Sequence, residues 1–423
     1  MVCGQAYSFL RHLPINQKLI YNSSVSIYTK PVCLFNGTVL TGFAAMENCA
    51  VMVEDGIISD VFSRKRFEKR QFESDVRLID VEGACIAPGF IDTHIHGIGG
   101  HGTEDAGITA PAGTEAVLAM SEILGEHGVT AFNPTLYPTE PSQMIQAVRE
   151  VVFAMGSEKG ARIMGLHLEG PFISPSRLGV QRPETVRPVD LQFMEQLWDA
   201  ASGRIVNMTV APELKHMREL ALFCIKKGIV LQAGHTDAEY ENMVEGMQTG
   251  ILHSTHFFNA MRRLDHRNPN AVGAILIHPE MSCEIIADGF HVHPDLFKLL
   301  LRNKPIDKIV LVTDGLKPTA QKEGPFFANN EEVCFKNGVF YRKSDDVIAG
   351  SGLTMIRGIK NLVAGGFSLE DAVKTASMNP AQIMRYTNQG AIIPGRFADI
   401  TVFDKNYEIQ LVMVGGKIVK DID

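Results

Sequence analysis

The cysteines of this 423-residue chain have no partners in sequence. The seven (Cys3, Cys33, Cys49, Cys85, Cys224, Cys283, Cys334) are scattered, odd in number and never spaced C-x-x-C. That excludes a disulfide framework and a thiolate zinc site, and it fits a reducing cytoplasm. The chain also lacks any run approaching the roughly 18 apolar residues that a membrane helix requires. Its beginning carries Arg11 and Lys18 but no unbroken apolar stretch of the signal-peptide kind. There is no basic excess either. Forty Lys and Arg stand against 48 Asp and Glu, a net charge of −8, which argues against nucleic acid or an anionic membrane as the main partner. A small anion needs only a local basic pocket and stays open. No repeat of solenoid period and no low-complexity tract interrupts the chain.

With 45% hydrophobic and 21% charged residues, the chain can bury a large core and is expected to form one big domain and a smaller one. Residues 1–24 have no clear pattern and form an unassigned N-terminal extension. Residues 25–83 are β-rich, with Asn36-Gly37 and Asp55-Gly56 as hairpin signals between apolar runs. The charged run 64–70 reads as a solvated surface segment. From Ala84 onward, short apolar runs alternate with text of helical period, the sequence form of βα units. The runs are 86–91, 129–133, 162–169, 205–211, 229–234, 252–256, 283–287 and 309–313, with amphipathic stretches such as 114–127, 191–201, 214–227, 238–249 and 294–303 between them. Eight runs favour a closed (β/α)8 barrel over an open doubly wound sheet. A loop-rich stretch containing Gly324-Pro325 and Asn329-Asn330 follows, then helical text at 354–364 and 369–377, then strand-like text at 398–403, 410–414 and 417–419. The fold expected is α/β: a TIM-like barrel over 84–384, with a small discontinuous β-sandwich domain built from 25–83 and 385–423.

Chemistry-bearing residues terminate these runs. Asp92-Thr93-His94-Ile95-His96 follows the first, Glu169 ends the third, His235 follows the fifth and His256 ends the sixth. Asp288 and His291 follow the seventh, and Asp314 the eighth. Glu169 alone is a satisfied structural acid, a general base or a metal ligand, and nothing local decides. A barrel brings the C-terminal strand ends to one mouth, so all these groups converge. Alternate strand residues point the same way, so His94 and His96 can address one ion. Glu169, His235 and His256 supply the mixed nitrogen and oxygen set that zinc or iron accepts, leaving a position for water. Asp314 near that water suits a general base that later protonates a leaving amine.

The motifs Pro88-Gly89-Phe90-Ile91-Asp92-Thr93-His94-Ile95-His96-Gly97, His167-Leu168-Glu169-Gly170-Pro171-Phe172, Gly234-His235-Thr236, Thr255-His256-Phe257-Phe258-Asn259-Ala260-Met261, Ala287-Asp288-Gly289-Phe290-His291 and Val312-Thr313-Asp314 resemble the amidohydrolase superfamily. Within it the chain is similar to the N-acetylglucosamine-6-phosphate deacetylase branch, from about Val25 to the C-terminus. Gly395-Arg396-Phe397-Ala398-Asp399-Ile400 looks like the return to the small β domain. The resemblance implies that Glu169, His235 and His256 bind the principal divalent metal and that Asp314 is the catalytic acid and base. His94 and His96, absent from members that hold one metal, are present here and with Asp314 offer ligands for a second. One or two ions, Zn2+ or Fe2+, are the implied cofactor.

The resemblance further implies sugar-phosphate contacts at Val180, Gln181, Asn259, Ala260, Arg267, Asp288, Gly289, Phe290, His291, Ile348, Ala349 and Gly350. Arg267 suits the 6-phosphate, since a guanidinium engages it bidentately. In relatives this Arg can come from a neighbouring subunit, so a homodimer is implied. Two departures bear on the sugar more than on the reaction. Gln181 replaces a family His that polarises the substrate carbonyl, and Asp314-Gly315-Leu316-Lys317-Pro318-Thr319 differs from the commoner alanine-containing version. The implied reaction is hydrolysis of N-acetylglucosamine 6-phosphate to glucosamine 6-phosphate and acetate. The alternatives are its galactosamine epimer, an aminoacylase or dihydroorotase-like amide, or a non-catalytic scaffold. Many cyclic-amide enzymes place a carbamylated Lys where Glu169 sits, and the complete ligand set counts against a scaffold.

Overall fold

The computed structural model describes residues 30–321 and 326–422; the extension expected over 1–24 and the Gly324-Pro325 turn lie outside them. Eight parallel strands form the barrel: Phe90–Ile95, Val129–Leu136, Leu166–Glu169, Ile205–Val210, Val230–Ala233, His253–Ser254, Ser282–Ile286 and Ile309–Val312. Each pairs in parallel with the next. Just beyond the eighth strand the ring is drawn together by a parallel bridge between Ile95 and Gly315, with Asp314 N–H donating to the His94 carbonyl at 2.9 Å. Helices follow the strands in turn, the first five being Ala112–Glu126, Pro141–Ala154, Leu191–Ala200, Met217–Lys227 and Tyr240–Gln248. Local chemistry sets their ends. Pro141 opens its helix, the Asp190 carboxylate accepts from Phe193 N–H, and Gly228 takes the left-handed conformation after Lys226 and Lys227.

The strand alternation decides what each face holds. Leu166, Leu168, Met208, Leu231 and Ile285 join the apolar layer under the helices. Their neighbours His167, Asn207, Thr209, Gln232 and Glu284 are fully buried and hydrogen-bonded to one another across the barrel. The Asn207 amide donates to Gln232 Oε1 at 2.5 Å, Gln232 Nε2 donates to Glu284 Oε1 at 2.8 Å, and the Thr209 and Thr255 hydroxyls meet at 2.7 Å. Buried polar groups are tolerated only when satisfied, and these are.

The first apolar run is split in the structure. Cys85–Pro88 belongs to the small sheet and Phe90–Ile95 to the barrel. Gly89 sits between them because a Cβ there would lie 2.1 Å from the Thr130 hydroxyl. The small sheet takes Val32–Leu40, Ala45–Glu54, Ile57–Ser63, Arg77–Asp80 and Cys85–Pro88 from the N-terminal side, and Ile400–Phe403, Ile409–Val414 and Lys417–Lys420 from the C-terminal side. Its sandwich is one sheet folded over, so Leu34, Val51 and Ile58 share a core with Ile400, Val402 and Leu411. Arg162 ties it to the barrel through two contacts to Asp399, at 2.9 and 3.0 Å. Asp55-Gly56 is a hairpin turn with both residues at positive φ. Asn36-Gly37 is not: it is a bulge inside Val32–Leu40, where Gly37 lets Val81 approach.

The stretch after the eighth strand, expected to be loop-rich, contains a four-stranded antiparallel meander: Phe326–Ala328, Glu331–Lys336, Val339–Arg342 and Ile348–Ser351. Asn329-Asn330 and Asn337-Gly338 are its two-residue turns, all four residues at positive φ. The meander packs Ala328, Val333 and Phe340 on Leu316, two residues beyond Asp314. Among the described residues no helix is long and apolar enough to cross a membrane.

Candidate active site

Two sets of ligand atoms meet at the barrel mouth: Glu169, His235 and His256, and His94, His96 and Asp314. In the first set Glu169 Oε1 lies 3.2 Å from His235 Nε2 and 3.1 Å from His256 Nε2, and the two nitrogens are 3.0 Å apart. Three donors bound tetrahedrally at about 2.1 Å from a zinc ion stand about 3.4 Å apart, so the spacing and chemistry of this set fit a divalent ion. In the second set His94 Nε2 and His96 Nε2 lie 3.6 and 3.5 Å from Asp314 Oδ1. Glu169 faces both sets, since Oε1 is 3.4 Å from His94 Nε2 and Oε2 is 3.2 Å from His96 Nε2.

Three of the four histidines, His94, His96 and His235, are aimed by what holds their other nitrogen. The Thr135 carbonyl accepts from His96 Nδ1 at 3.0 Å, the Arg177 carbonyl from His235 Nδ1 at 3.0 Å, and Glu284 Oε2 from His94 Nδ1 at 2.9 Å. Such acceptors carry no proton, so each Nδ1 is the protonated nitrogen and each Nε2 is left facing the site. The backbone is also forced. His235, His256 and Asp314 have φ of 46°, 27° and 47°, a left-handed conformation that non-glycine residues rarely adopt.

The electrostatics favour a cation. Burial alone would depress the His94 imidazolium, but Glu284, Asp314 and Glu169 outweigh it and hold its pKa well above the usual range. Burial would raise Glu169, yet His94 and hydrogen bonds from His235 and His256 keep it well below the usual carboxylate range. Three carboxylates that stabilise a proton here stabilise a metal ion by the same attraction. His167, between the Thr135 and Thr209 hydroxyls, is pushed well below its usual range by burial and is neutral. Burial likewise raises Asp92 to about 7, where it accepts from the Thr313 hydroxyl at 2.5 Å and links the first and eighth strands.

Gln181 is brought into this cluster, its amide donating to Glu169 Oε2 at 2.6 Å. The loop before it passes close by, a Cβ on Gly179 lying 3.4 Å from the His235 ring and 3.7 Å from Ala260. Val180 and Ala349 line one cavity with Tyr137. Asn259 turns its amide back to the His256 and Phe257 carbonyls. Asp288 and His291 pair at 2.6 Å, Gly289 lies between them at positive φ, and Phe290 is exposed. Ile348 and Gly350 lie on the last meander strand. Arg267 belongs to neither ligand set and sits on an exposed loop, its backbone N–H donating to the Asp265 carboxylate at 2.8 Å. Glu284 and Tyr137, whose ring stacks on His96 at 3.7 Å, are the residues that strand-end reasoning missed.

The amidohydrolase family model matches residues 85–419. The N-acetylglucosamine-6-phosphate deacetylase of Bacillus subtilis is 32% identical over 90% of this chain and 95% of its own length. The human enzyme of that name is 32% identical over 84% of this chain and 88% of its own. An N-acetyl-D-glucosamine-6-phosphate deacetylase of Mycobacterium smegmatis, solved in complex with N-acetyl-D-glucosamine-6-phosphate, superposes with a TM-score of 0.84 at 26% identity, covering 93% of this chain and 100% of that one. The chain belongs to the amidohydrolase family.

Proposed function

We propose that this chain hydrolyses the acetamide of N-acetylglucosamine 6-phosphate, giving acetate and glucosamine 6-phosphate. The observation that carries the reading is the Glu169, His235 and His256 set at the barrel mouth with Asp314 beside it, in a chain whose relatives carry that deacetylase name. Glu169, His235 and His256 would hold the principal ion, zinc or ferrous iron, and His94, His96 and Asp314 offer ligands for a second. A divalent ion there supplies Lewis acidity to the amide carbonyl and to water. The Asp314 carboxylate takes the proton of the attacking water and delivers it to the leaving nitrogen. Breakage of the C–N bond then yields acetic acid and a neutral amine, and the acid releases its remaining proton to solvent as acetate. Gln181 retains one amide hydrogen beyond its bond to Glu169, and that hydrogen is available to donate to the developing oxyanion.

Around this centre Val180, Asn259, Ala260, Asp288, Gly289, Phe290, His291, Ile348, Ala349 and Gly350 contact the sugar. Arg267 binds the 6-phosphate. Its exposed side chain suits a homodimer in which each subunit supplies Arg267 to the other. Cysteines that are unpaired throughout the described residues suit a cytoplasmic protein. The test is acetate release from N-acetylglucosamine 6-phosphate and its galacto epimer, with metal analysis of the same sample. Turnover of the gluco compound by metal-loaded protein is expected. A metal-loaded protein inert to both sugars overturns the reading.

A further inference from the structure

We infer that Glu284 is a positioning residue that sets one metal ligand in each of the two sets at once. The inference rests on the reading that these sets hold metal. Glu284 lies inside the seventh strand, is fully buried and touches neither Glu169 nor Asp314 in any hydrogen bond of the described structure. Its Oε2 accepts from His94 Nδ1 at 2.9 Å and from the backbone N–H of His256 at 3.1 Å. Its Oε1 accepts from Gln232 Nε2 at 2.8 Å.

The first bond fixes a tautomer. An ionised carboxylate only accepts, so His94 keeps a proton on Nδ1, and Nε2, which faces Glu169 and Asp314, is the nitrogen that would give its lone pair to a metal ion. The second bond fixes a backbone. His256 has φ of 27°, a conformation that persists only where its surroundings hold it. The Glu284 oxygen does so directly, and the next amide, Phe257 N–H, donates to the Glu284 carbonyl at 2.9 Å. One residue therefore orients His94 through its ring and His256 through its main chain. Gln232 is held in turn by Asn207 and Thr255, so the carboxylate cannot rotate without breaking a buried chain of hydrogen bonds.

An amide cannot replace this carboxylate. Glu284→Gln must turn an NH2 toward either Gln232 Nε2 or the two donors at Oε2, and donor faces donor in both cases. The experiment is titration of metal-free protein with Zn2+, reading affinity and ions bound per chain, alongside far-ultraviolet circular dichroism and the melting temperature of the metal-free state. Glu284→Gln is expected to weaken zinc binding about 10- to 100-fold, with the metal-free fold retained. In the His94→Gln background the same substitution should cost less than in the parent, because part of its effect runs through His94. Wild-type zinc affinity and stoichiometry in Glu284→Gln overturns the inference, as does full additivity with His94→Gln. Loss of the metal-free fold in Glu284→Gln also overturns it, assigning Glu284 to architecture alone. A parent protein that binds no zinc or ferrous iron sinks the metal reading itself, which is a separate result.

Discussion

Ser351 N–H donates to the Asp314 carbonyl at 3.0 Å, while Asp314 N–H donates to the His94 carbonyl at 2.9 Å. Asp314 is thus held from both sides, by the last meander strand and by the first barrel strand. Its left-handed φ of 47° is a conformation the chain does not adopt unaided. The Ser351 hydroxyl also donates to the Thr313 carbonyl, so the turn that aims this carboxylate is pinned by backbone contacts on either side.

Because main-chain bonds do the pinning, Asp314→Asn should keep the turn and lose only the chemistry. An amide cannot accept the water proton, and removal of a general acid and base typically costs about 10²- to 10⁴-fold. Acetate release should fall by about that factor with KM little changed. Metal content should fall by about half when both sets are filled and stay constant when only the Glu169 set is. Activity within a few-fold of the parent would remove Asp314 from proton transfer.

The clustering was legible in the sequence wherever a candidate ligand stands at a strand end, because the barrel gathers such ends at one mouth. Glu169, His235, His256 and Asp314 are of this kind, and so is the His94 and His96 pair. Glu284 was not, since a carboxylate in mid-strand between Cys283 and Ile285 gives no sign that its partners come from other strands. The meander hid for a different reason. Glu331–Lys336 is mostly exposed, so it lacks the apolar alternation of a strand, although the Asn329-Asn330 turn before it was visible. Arg267 remained open because an exposed side chain has no intrachain geometry to fix its role.

Arg267→Ala should separate phosphate recognition from catalysis. The guanidinium is exposed and belongs to neither ligand set, so its loss should leave fold and metal content unchanged. A charge-assisted bidentate contact contributes about 1.5–3 kcal/mol, so KM for the phosphorylated sugar should rise about 10- to 100-fold. Turnover of N-acetylglucosamine itself should change little. Equal effects on the two substrates would show that Arg267 does not read phosphate.

Glu104 predicts a pH dependence of stability outside the metal sets. Burial, only partly offset by the Asn329 amide and Lys317, pushes its carboxyl up to about 7, and Oε2 has no hydrogen-bond partner among the described residues. The folded state therefore binds the proton more tightly than the unfolded chain, whose Glu titrates near about 4.3. The stabilisation is full below that value and is lost as pH rises through about 7, amounting to roughly 4 kcal/mol over the interval. Glu104→Gln stays neutral, so its urea midpoint should approach the parent's near pH 5 and exceed it at pH 8. A gap that does not change with pH would mean that Glu104 is ionised in the folded protein throughout.

Gly350→Ala tests whether the meander sets the position of Asp314. Gly350 has φ of 141°, and a Cβ there would lie 2.6 Å from Leu316 Cδ2 and 3.1 Å from the Asp314 carbonyl oxygen. Leu316 cannot swing aside, being 1% exposed and packed against Ala328, Val333 and Phe340. The strand must then move off the 314–316 segment, loosening the Ser351 bond to Asp314. Overpacking of this kind costs about 1–3 kcal/mol, and a displacement near 1 Å at a catalytic group can cost about 10²-fold in rate. Gly83→Ala supplies the control, because its φ of 82° is also strained but a Cβ there meets nothing within 4 Å. Both variants should melt earlier than the parent, and only Gly350→Ala should lose kcat. If the two lose stability alike and neither loses kcat, the first barrel strand alone is enough to hold Asp314 in place.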